Sequence, residues 1–114
     1  MEKNLLFSFD DEITTGFYYD IDGHKIAVYF AAYYDNGRFV EKECQLIIEK
    51  WEYAKSKLSV DNRYKDLEDH IGIISMILDI HIADKKLFLT VNTLDGQYVD
   101  LLFYNCNVKI EDIS

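Results

Sequence analysis

The chain has 114 residues, and we predict one domain spanning residues 1–114 because this length supports a single hydrophobic core. It carries 21 Asp and Glu residues against 12 Lys and Arg residues, a formal net charge of −9. A field of that sign repels phosphate backbones and anionic lipids, so we expect no nucleic-acid partner and no membrane partner. The N-terminal residues resemble no secretory signal, and we expect a cytoplasmic location.

The first half of the chain is predicted to form a meander of about four strands. Asp22-Gly23 and Asn36-Gly37 are dipeptides that favour tight hairpin turns, and runs of alternating apolar and polar residues surround them. These alternating runs predict strands at residues 5–9, 17–21, 24–30 and 38–48.

The middle of the chain is ambiguous between helix and strand. Ile47, Trp51, Ala54 and Leu58 have helical spacing, which predicts a helical turn or two after Ile48, before a polar loop at residues 59–64. The apolar residues within positions 71–82 fit both the helical period and the strand period. We favour a strand there, because it accounts for the apolar residues at positions 80 and 82. A short helix is expected within residues 64–69.

The last third of the chain predicts a hairpin and a short edge strand. Residues 87–93 and 98–103 flank the turn dipeptide Asp95-Gly96, and residues 108–110 add the edge. Such a chain closes most readily as a mainly β fold. We predict an antiparallel β-sandwich or small barrel of about 7–8 strands, with a short helix in the middle.

A search for chemistry finds no catalytic motif. No serine lies in a Gly-x-Ser-x-Gly elbow, and the glycines form no phosphate-binding loop. Cys44 and Cys106 are too few for a zinc cage and are expected to be buried apolar side chains. Asp20-x-Asp22-Gly23-His24 resembles the opening of a calcium loop, but the later ligands of that loop are missing. We therefore predict no enzyme, no catalytic residue, no metal site and no cofactor.

Aromatic and acidic residues together suggest a binding surface. Tyr18-Tyr19 and Tyr33-Tyr34 are consecutive pairs, so an extended backbone turns one ring of each pair toward solvent. Tyrosine is a common anchor in protein interfaces. The predicted partner-binding residues, which two hairpins would bring to one end of a sheet, are Tyr18, Asp20, Asp22, Tyr33, Tyr34 and Asp35.

Two functions and one structural alternative follow from these residues. The first function is that of a non-enzymatic protein-binding domain with a basic protein partner. The second is that of a small-ligand or carbohydrate-binding β-domain. In the structural alternative, the tyrosines only shield sheet edges and the rim of the core. A homodimer formed through an exposed strand edge is compatible with either function, and also with a third alternative, an enzyme whose type no motif in the chain identifies.

The strand pattern also resembles that of a known class of proteins. The spacing Cys44-x-Leu46-x-Ile48-x-x-Trp51 is followed by an apolar strand and then by Leu87-x-Leu89-x-Val91-x-Thr93-x-Asp95-Gly96-x-Tyr98-Val99-x-Leu101. In this it resembles small acidic bacterial immunity proteins of polymorphic toxin systems. The resemblance implies stoichiometric inhibition of a toxin domain without catalysis. Immunity proteins differ in fold and interface, so the resemblance assigns no binding residue.

Overall fold

The computed structural model describes residues 7–9 and 12–113, which contain twelve strands and one short helix. The elements are β1 (Phe7–Ser8), β2 (Thr14–Asp20), β3 (Lys25–Phe30), β4 (Tyr33–Asp35), β5 (Arg38–Val40), β6 (Cys44–Glu49), β7 (Tyr53–Leu58), β8 (Lys65–Asp66), α1 (Leu67–His70), β9 (Ile74–Ala83), β10 (Lys86–Thr93), β11 (Tyr98–Tyr104) and β12 (Asn107–Asp112). The predicted mainly β, antiparallel class is confirmed. The number of strands is higher than predicted because four of them are short, with only two or three residues each.

The strands form three antiparallel sheets, with the orders β12-β6-β3-β2, β8-β7-β11-β10-β9 and β1-β4-β5. Two chain segments run side by side and bend from one larger sheet into the other. One segment is β6 followed by β7, and the other is β11 followed by β12. The segments pair in both sheets, β6 with β12 and β7 with β11. Lys50 and Asn105 have positive φ angles of 60° and 57° at the bend. On the far side an isolated bridge joins Ile13, just before β2, to Met76 of β9.

The core lies between the two larger sheets and is formed by the inward residues of their strands. Ile26, Val28 and Phe30 of β3 are completely buried, as the predicted alternation requires. The rings of Phe9 and Phe30 are stacked with their centroids 4.1 Å apart. Each such side chain stabilises the fold by about 1.5–3 kcal/mol through removal of apolar area from water.

The three predicted turns are confirmed, although one of them has a different geometry. Asn36 and Gly37 both have positive φ, as a two-residue type I′ turn requires. Gly96 has a φ of 83° in a tight loop closed by a hydrogen bond from Thr93 N to Gln97 O. The β2–β3 hairpin has a four-residue loop, residues 21–24, in which His24 rather than Gly23 has positive φ.

The helical turn predicted after Ile48 is wrong. Residues Tyr53–Leu58 form β7, which pairs with β11 over its whole length and so satisfies its backbone groups in a sheet. Trp51 is buried at the corner between β6 and β7, and this placement produces the apparent helical spacing. The strand over residues 74–82 and the short helix are confirmed as β9 and α1. In the part of the chain described, no helix has the length and apolar character needed to cross a membrane.

The predicted strand at 5–9 and the long strand at 38–48 are altered. The first is β1, and its predicted residue Leu5 lies outside the described residues. The second divides into β5 and β6, which belong to different sheets. Residues 41–43 connect the two sheets.

A polar cluster crosses strands β7, β10 and β11. The Asp100 carboxylate accepts hydrogen bonds from Lys57 Nζ at 2.9 Å, Ser59 Oγ at 2.9 Å and Thr90 Oγ1 at 3.1 Å. Partial burial raises the pKa of Asp100, but these hydrogen bonds and the Lys57 charge outweigh burial, and the pKa is lowered overall. The cluster therefore favours the ionised carboxylate and stabilises the three strands where they meet.

Candidate functional site

A cleft of about 170 Å³ opens where the β2–β3 hairpin meets the β6–β7 corner and the β8–α1 segment. Its volume is below the ~300 Å³ of a typical small-molecule pocket, so it suits one side chain or a small group. The lining residues are Tyr19, Ile21, His24, Trp51, Glu52, Tyr53, Ala54, Asp66, Leu67 and Glu68.

Hydrogen bonds hold the hairpin against the corner. Lys50 N donates to His24 O at 3.0 Å, and His24 Nδ1 lies 3.0 Å from Trp51 O. Because a carbonyl oxygen only accepts, this second bond requires the proton on Nδ1. The imidazole is stacked on the indole of Trp51, with the ring centroids 5.2 Å apart. The buried indole thus gives the exposed hairpin turn a fixed position.

A buried hydroxyl fixes the opposite wall of the cleft. Ser56 Oγ of β7 lies 2.7 Å from Asp66 O and 3.0 Å from Leu67 O, and donates to these carbonyl oxygens. Ser56 is completely buried, and its hydroxyl adds to the hydrogen bond that Leu67 O already accepts from Ile71 N at 3.0 Å. The Tyr19 hydroxyl, 3.5 Å from Glu68 Oε1, links this wall to β2.

The cleft is acidic and partly aromatic. Glu52, Asp66 and Glu68 supply three carboxylates, and the lining contains no Lys or Arg. Lys55 Nζ lies 3.5 Å from Asp66 Oδ1, but both groups are solvent-exposed and this ion pair is weak. The ring of Tyr53 is stacked on that of Tyr104 at 4.9 Å. Carboxylates and aromatic faces are the groups that bind ammonium and guanidinium ions.

We expect Tyr19 to ionise only at very alkaline pH. Burial, the nearby Glu68 charge and the hydrogen bond to Glu68 raise the pKa of Tyr19 to about 12. A pKa raised by folding stabilises the protein below the unfolded value of about 10, and this stabilisation is lost as pH rises toward 12. Absorbance titration of the phenolates should show that Tyr19→Phe removes the most alkaline step. Tyr18→Phe is the control, and loss of the same step in both variants contradicts the assignment.

The structure places the six predicted site residues in two groups. Tyr18, Asp20 and Asp22 belong to the β2–β3 hairpin, where Asp20 Oδ1 accepts a hydrogen bond from Gly23 N at 3.1 Å. Tyr18 is 50% exposed on the face of β2 opposite Tyr19. Ile21, between the two aspartates, lines the cleft.

The other three predicted residues, Tyr33, Tyr34 and Asp35, form β4 beyond the opposite end of β3. The expectation that both groups meet at one end of a sheet is therefore wrong, because the six residues of β3 span about 20 Å. Tyr33 OH donates to Asp112 Oδ1 at 3.3 Å, and the ring of Tyr34 packs against that of Phe39. These contacts fit the interpretation that β4 tyrosines shield a sheet rim.

Sequence reasoning did not select the cleft residues Glu52, Tyr53, Asp66 and Glu68. The only available signal was the acidic character of residues 66–69, which is shared by other acidic segments. The helical turn wrongly predicted after Ile48 also concealed the corner that brings Glu52 and Tyr53 into the cleft.

A second cleft, of about 350 Å³, lies near the far end of the β2–β3 pair. Its lining residues are Thr15, Gly16, Tyr29, Phe30, Ala31, Glu43 and Ile113. Glu43 is the only charged group among them. This opening is larger but lacks the clustered charges of the first cleft.

Other reactive groups form no second centre in the described residues. Residues 7–9 and 12–113 contain no cluster of three or more His, Cys, Asp or Glu side chains able to hold a metal ion. Burial raises the pKa values of the Cys44 and Cys106 thiols to about 11, so both are protonated at neutral pH. Comparison with protein-family models, curated proteins and solved structures finds no match to this chain.

Proposed function

We propose that this protein is a non-enzymatic protein-binding domain that holds a Lys or Arg side chain of a basic partner in the acidic cleft. The observation that carries the proposal is the group of three carboxylates, Glu52, Asp66 and Glu68, around an opening lined by no Lys or Arg side chain. A guanidinium or ammonium group entering there gains charge-assisted hydrogen bonds and contact with the exposed ring of Tyr53.

The rest of the molecule supports the same kind of partner. A net charge of −9 accelerates encounter with a basic protein and disfavours acidic ones. Asp20 and Asp22 lie in the hairpin that borders the cleft and add negative potential there. A small cleft within an acidic surface suits one anchoring side chain surrounded by weaker polar contacts.

We propose further that the partner is a toxin domain and that the protein acts as an immunity protein in the cytoplasm. This part of the proposal is supported by the resemblance described above and by the acidic surface. Stoichiometric binding through the cleft blocks a basic toxin without any catalytic step. Inhibition should therefore saturate at one protein molecule per toxin molecule.

A second candidate function is binding of a carbohydrate or another small ligand. Tyr53 is 44% exposed, its ring is stacked on that of Tyr104, and it lines the cleft together with three carboxylates. Sugars bind to such combinations of a stacking surface and hydrogen-bond acceptors. Chemical-shift changes at Tyr53 on titration with a neutral sugar support this candidate, and their absence across a sugar panel contradicts it.

The primary proposal predicts that an arginine peptide binds at the cleft. In NMR titrations of isotopically labelled protein with acetyl-Gly-Arg-Gly-amide, we expect the largest shift changes at Glu52, Tyr53 and Glu68. The double variant Glu52→Gln/Glu68→Gln should weaken binding by roughly tenfold or more, because two charge-assisted contacts become neutral ones. The same peptide with citrulline in place of arginine should bind far more weakly.

A matched control separates the cleft from the overall field. Glu41→Gln/Glu43→Gln removes the same two charges outside the acidic cleft, at exposed positions between β5 and β6. It should leave the peptide affinity within about twofold of the parent protein, because it keeps Glu52 and Glu68 while lowering the net negative charge as much as the cleft variant does. Equal weakening in both double variants, or shift changes spread evenly over surface acids, contradicts the proposed site.

A further inference from the structure

Part of strand β9 forms an open sheet edge. One side of β9 pairs with β10 along the strand. On the other side, within residues 7–9 and 12–113, only its beginning meets another strand. Met76 bridges Ile13, and Thr14 Oγ1 donates to Ile74 O at 2.8 Å. Residues 78–83 therefore have no strand on their outer side among the described residues.

The hairpin geometry identifies the backbone groups that this edge presents. Asp84 and Lys85 have φ angles of 56° and 65° and form a two-residue turn closed by the Ala83–Lys86 pair. In such hairpins the closing pair is hydrogen-bonded, and bonded and non-bonded pairs alternate from there. The N–H and C=O groups of Ile82 and Ile80 consequently point away from β10.

The edge has little of the usual protection against pairing. Residues 78–83 contain no Lys and no Pro, and their two protective features are the bulge near Leu78 and the exposed charge of Asp79. Leu78 is 43% exposed, while Ile80 and Ile82 are partly buried at the rim of the core. A further strand placed here would cover apolar side chains and pair the free backbone groups.

We propose that two copies of this chain associate through antiparallel pairing of their β9 strands, centred on Ile80. Such a dimer has twofold symmetry, and only every second residue of the edge has free N–H and C=O groups. Together these conditions allow only registers in which one residue lies directly opposite its own copy in the partner. Centring on Ile80 matches its free N–H and C=O groups with those of the partner's Ile80. It also places Asp79 opposite the partner's His81, and His81 opposite the partner's Asp79.

Charge complementarity selects this register and this occupant. Asp79 and His81 lie on one exposed face, and His81 Nδ1 is 2.8 Å from Asp79 Oδ2 within the chain. The imidazole is also stacked on Phe88 at 5.1 Å, which fixes its orientation. In the dimer each carboxylate faces a second imidazole in a close, non-hydrogen-bonded pair. Centring on His81 instead opposes the two imidazoles and leaves each Asp79 facing an alanine.

The dimer leaves the acidic cleft accessible. Sheet order places β9 at the opposite edge from β7 and β8, which border the cleft. Dimerisation and peptide binding are therefore independent, and either proposal can fail alone. The two copies repel each other at long range because each is negatively charged. The dimer should therefore be measured at ~0.15 M salt, where this repulsion is screened beyond about 8 Å.

Sedimentation equilibrium on single and paired charge variants tests the dimer. The parent protein should be dimeric at micromolar concentration. Asp79→Lys and His81→Glu should each raise the dimer dissociation constant by roughly tenfold, because each replaces two attractive cross-strand pairs by neutral or repulsive ones. Asp79→Lys/His81→Glu restores complementary pairs and should recover most of the parent affinity.

Two further measurements distinguish this interface from general charge effects. Glu111→Lys changes the net charge as Asp79→Lys does, but on the edge strand β12, and should leave the dissociation constant within about threefold. The amides of Ile80 and Ile82 should exchange with solvent more slowly as protein concentration rises. A monomer at all concentrations, a double variant that recovers no affinity, or rapid and concentration-independent exchange of these amides overturns the proposal.

Discussion

Phe30→Ala is expected to lower the free energy of unfolding by about 3–5 kcal/mol. Phe30 is completely buried, and its ring is stacked on that of Phe9 at 4.1 Å. Alanine removes this contact and leaves a cavity where β1 meets the main core, which rigid β-strands fill only in part. Urea unfolding followed by tryptophan fluorescence measures the loss, because the chain has a single Trp in the core.

Phe39→Ala is the matched control, since it makes the same chemical change on β5 at a residue that is 55% exposed. The ring of Phe39 contacts only the rim residue Tyr34 among the aromatic pairs described. We expect a loss of about 1 kcal/mol or less. Losses of similar size in the two variants contradict the assignment of Phe30 to the core.

Asp100→Ala is expected to cost about 2 kcal/mol at neutral pH. The carboxylate accepts three hydrogen bonds, and the Lys57 and Asp100 side chains are only 15% and 22% exposed. Removing it takes away the charged partner of the Lys57 ammonium group, which keeps only the carbonyl oxygens of Ser59 and Asp61. The same bonds lower the pKa of Asp100, although burial alone raises it. A lowered pKa stabilises the fold above the unfolded value of about 4, and this stabilisation is lost as the pH falls through the folded pKa.

Thermal unfolding from pH 7 to pH 2 tests both parts of this prediction. The parent protein should lose stability in acid, and Asp100→Ala should show a smaller loss because it lacks this carboxylate. Asp22→Ala, at an exposed turn position, should follow the parent curve closely. If Asp100→Ala and the parent protein lose equal stability in acid, the cluster does not contribute as described.

Local sequence patterns were sufficient for most of the fold. Alternation over residues 87–93 matches the burial of β10, because one side-chain face of the strand must leave water. In β3 the predicted face is buried from Ile26 to Phe30, but Ala27 on the other face is buried as well. Asn36-Gly37 and Asp95-Gly96 were reliable because Asn36, Gly37 and Gly96 adopt positive φ at low cost. Residues 53–58 could not be assigned in this way. Their pairing with β11, over 40 residues away in sequence, outweighs a local helical spacing.

The candidate site was much less predictable. The sequence indicated a surplus of acidic groups and exposed tyrosines, and the structure places Asp20 and Asp22 beside the acidic cleft. Tyr33 and Tyr34 were grouped with them only because consecutive hairpins were assumed to turn back to the same end. The length of β3 separates the two groups.

The amino-acid sequence by itself determined the β class, the turn positions, the buried faces of the strands and the negative field, because each depends on neighbouring residues or on composition. The tertiary structure alone decided the corner at Lys50, the meeting of Glu52 with Glu68, and the open edge of β9. These features depend on which distant strands pair and where a sheet bends. Many contacts made together select such pairings, and no short stretch of sequence encodes them.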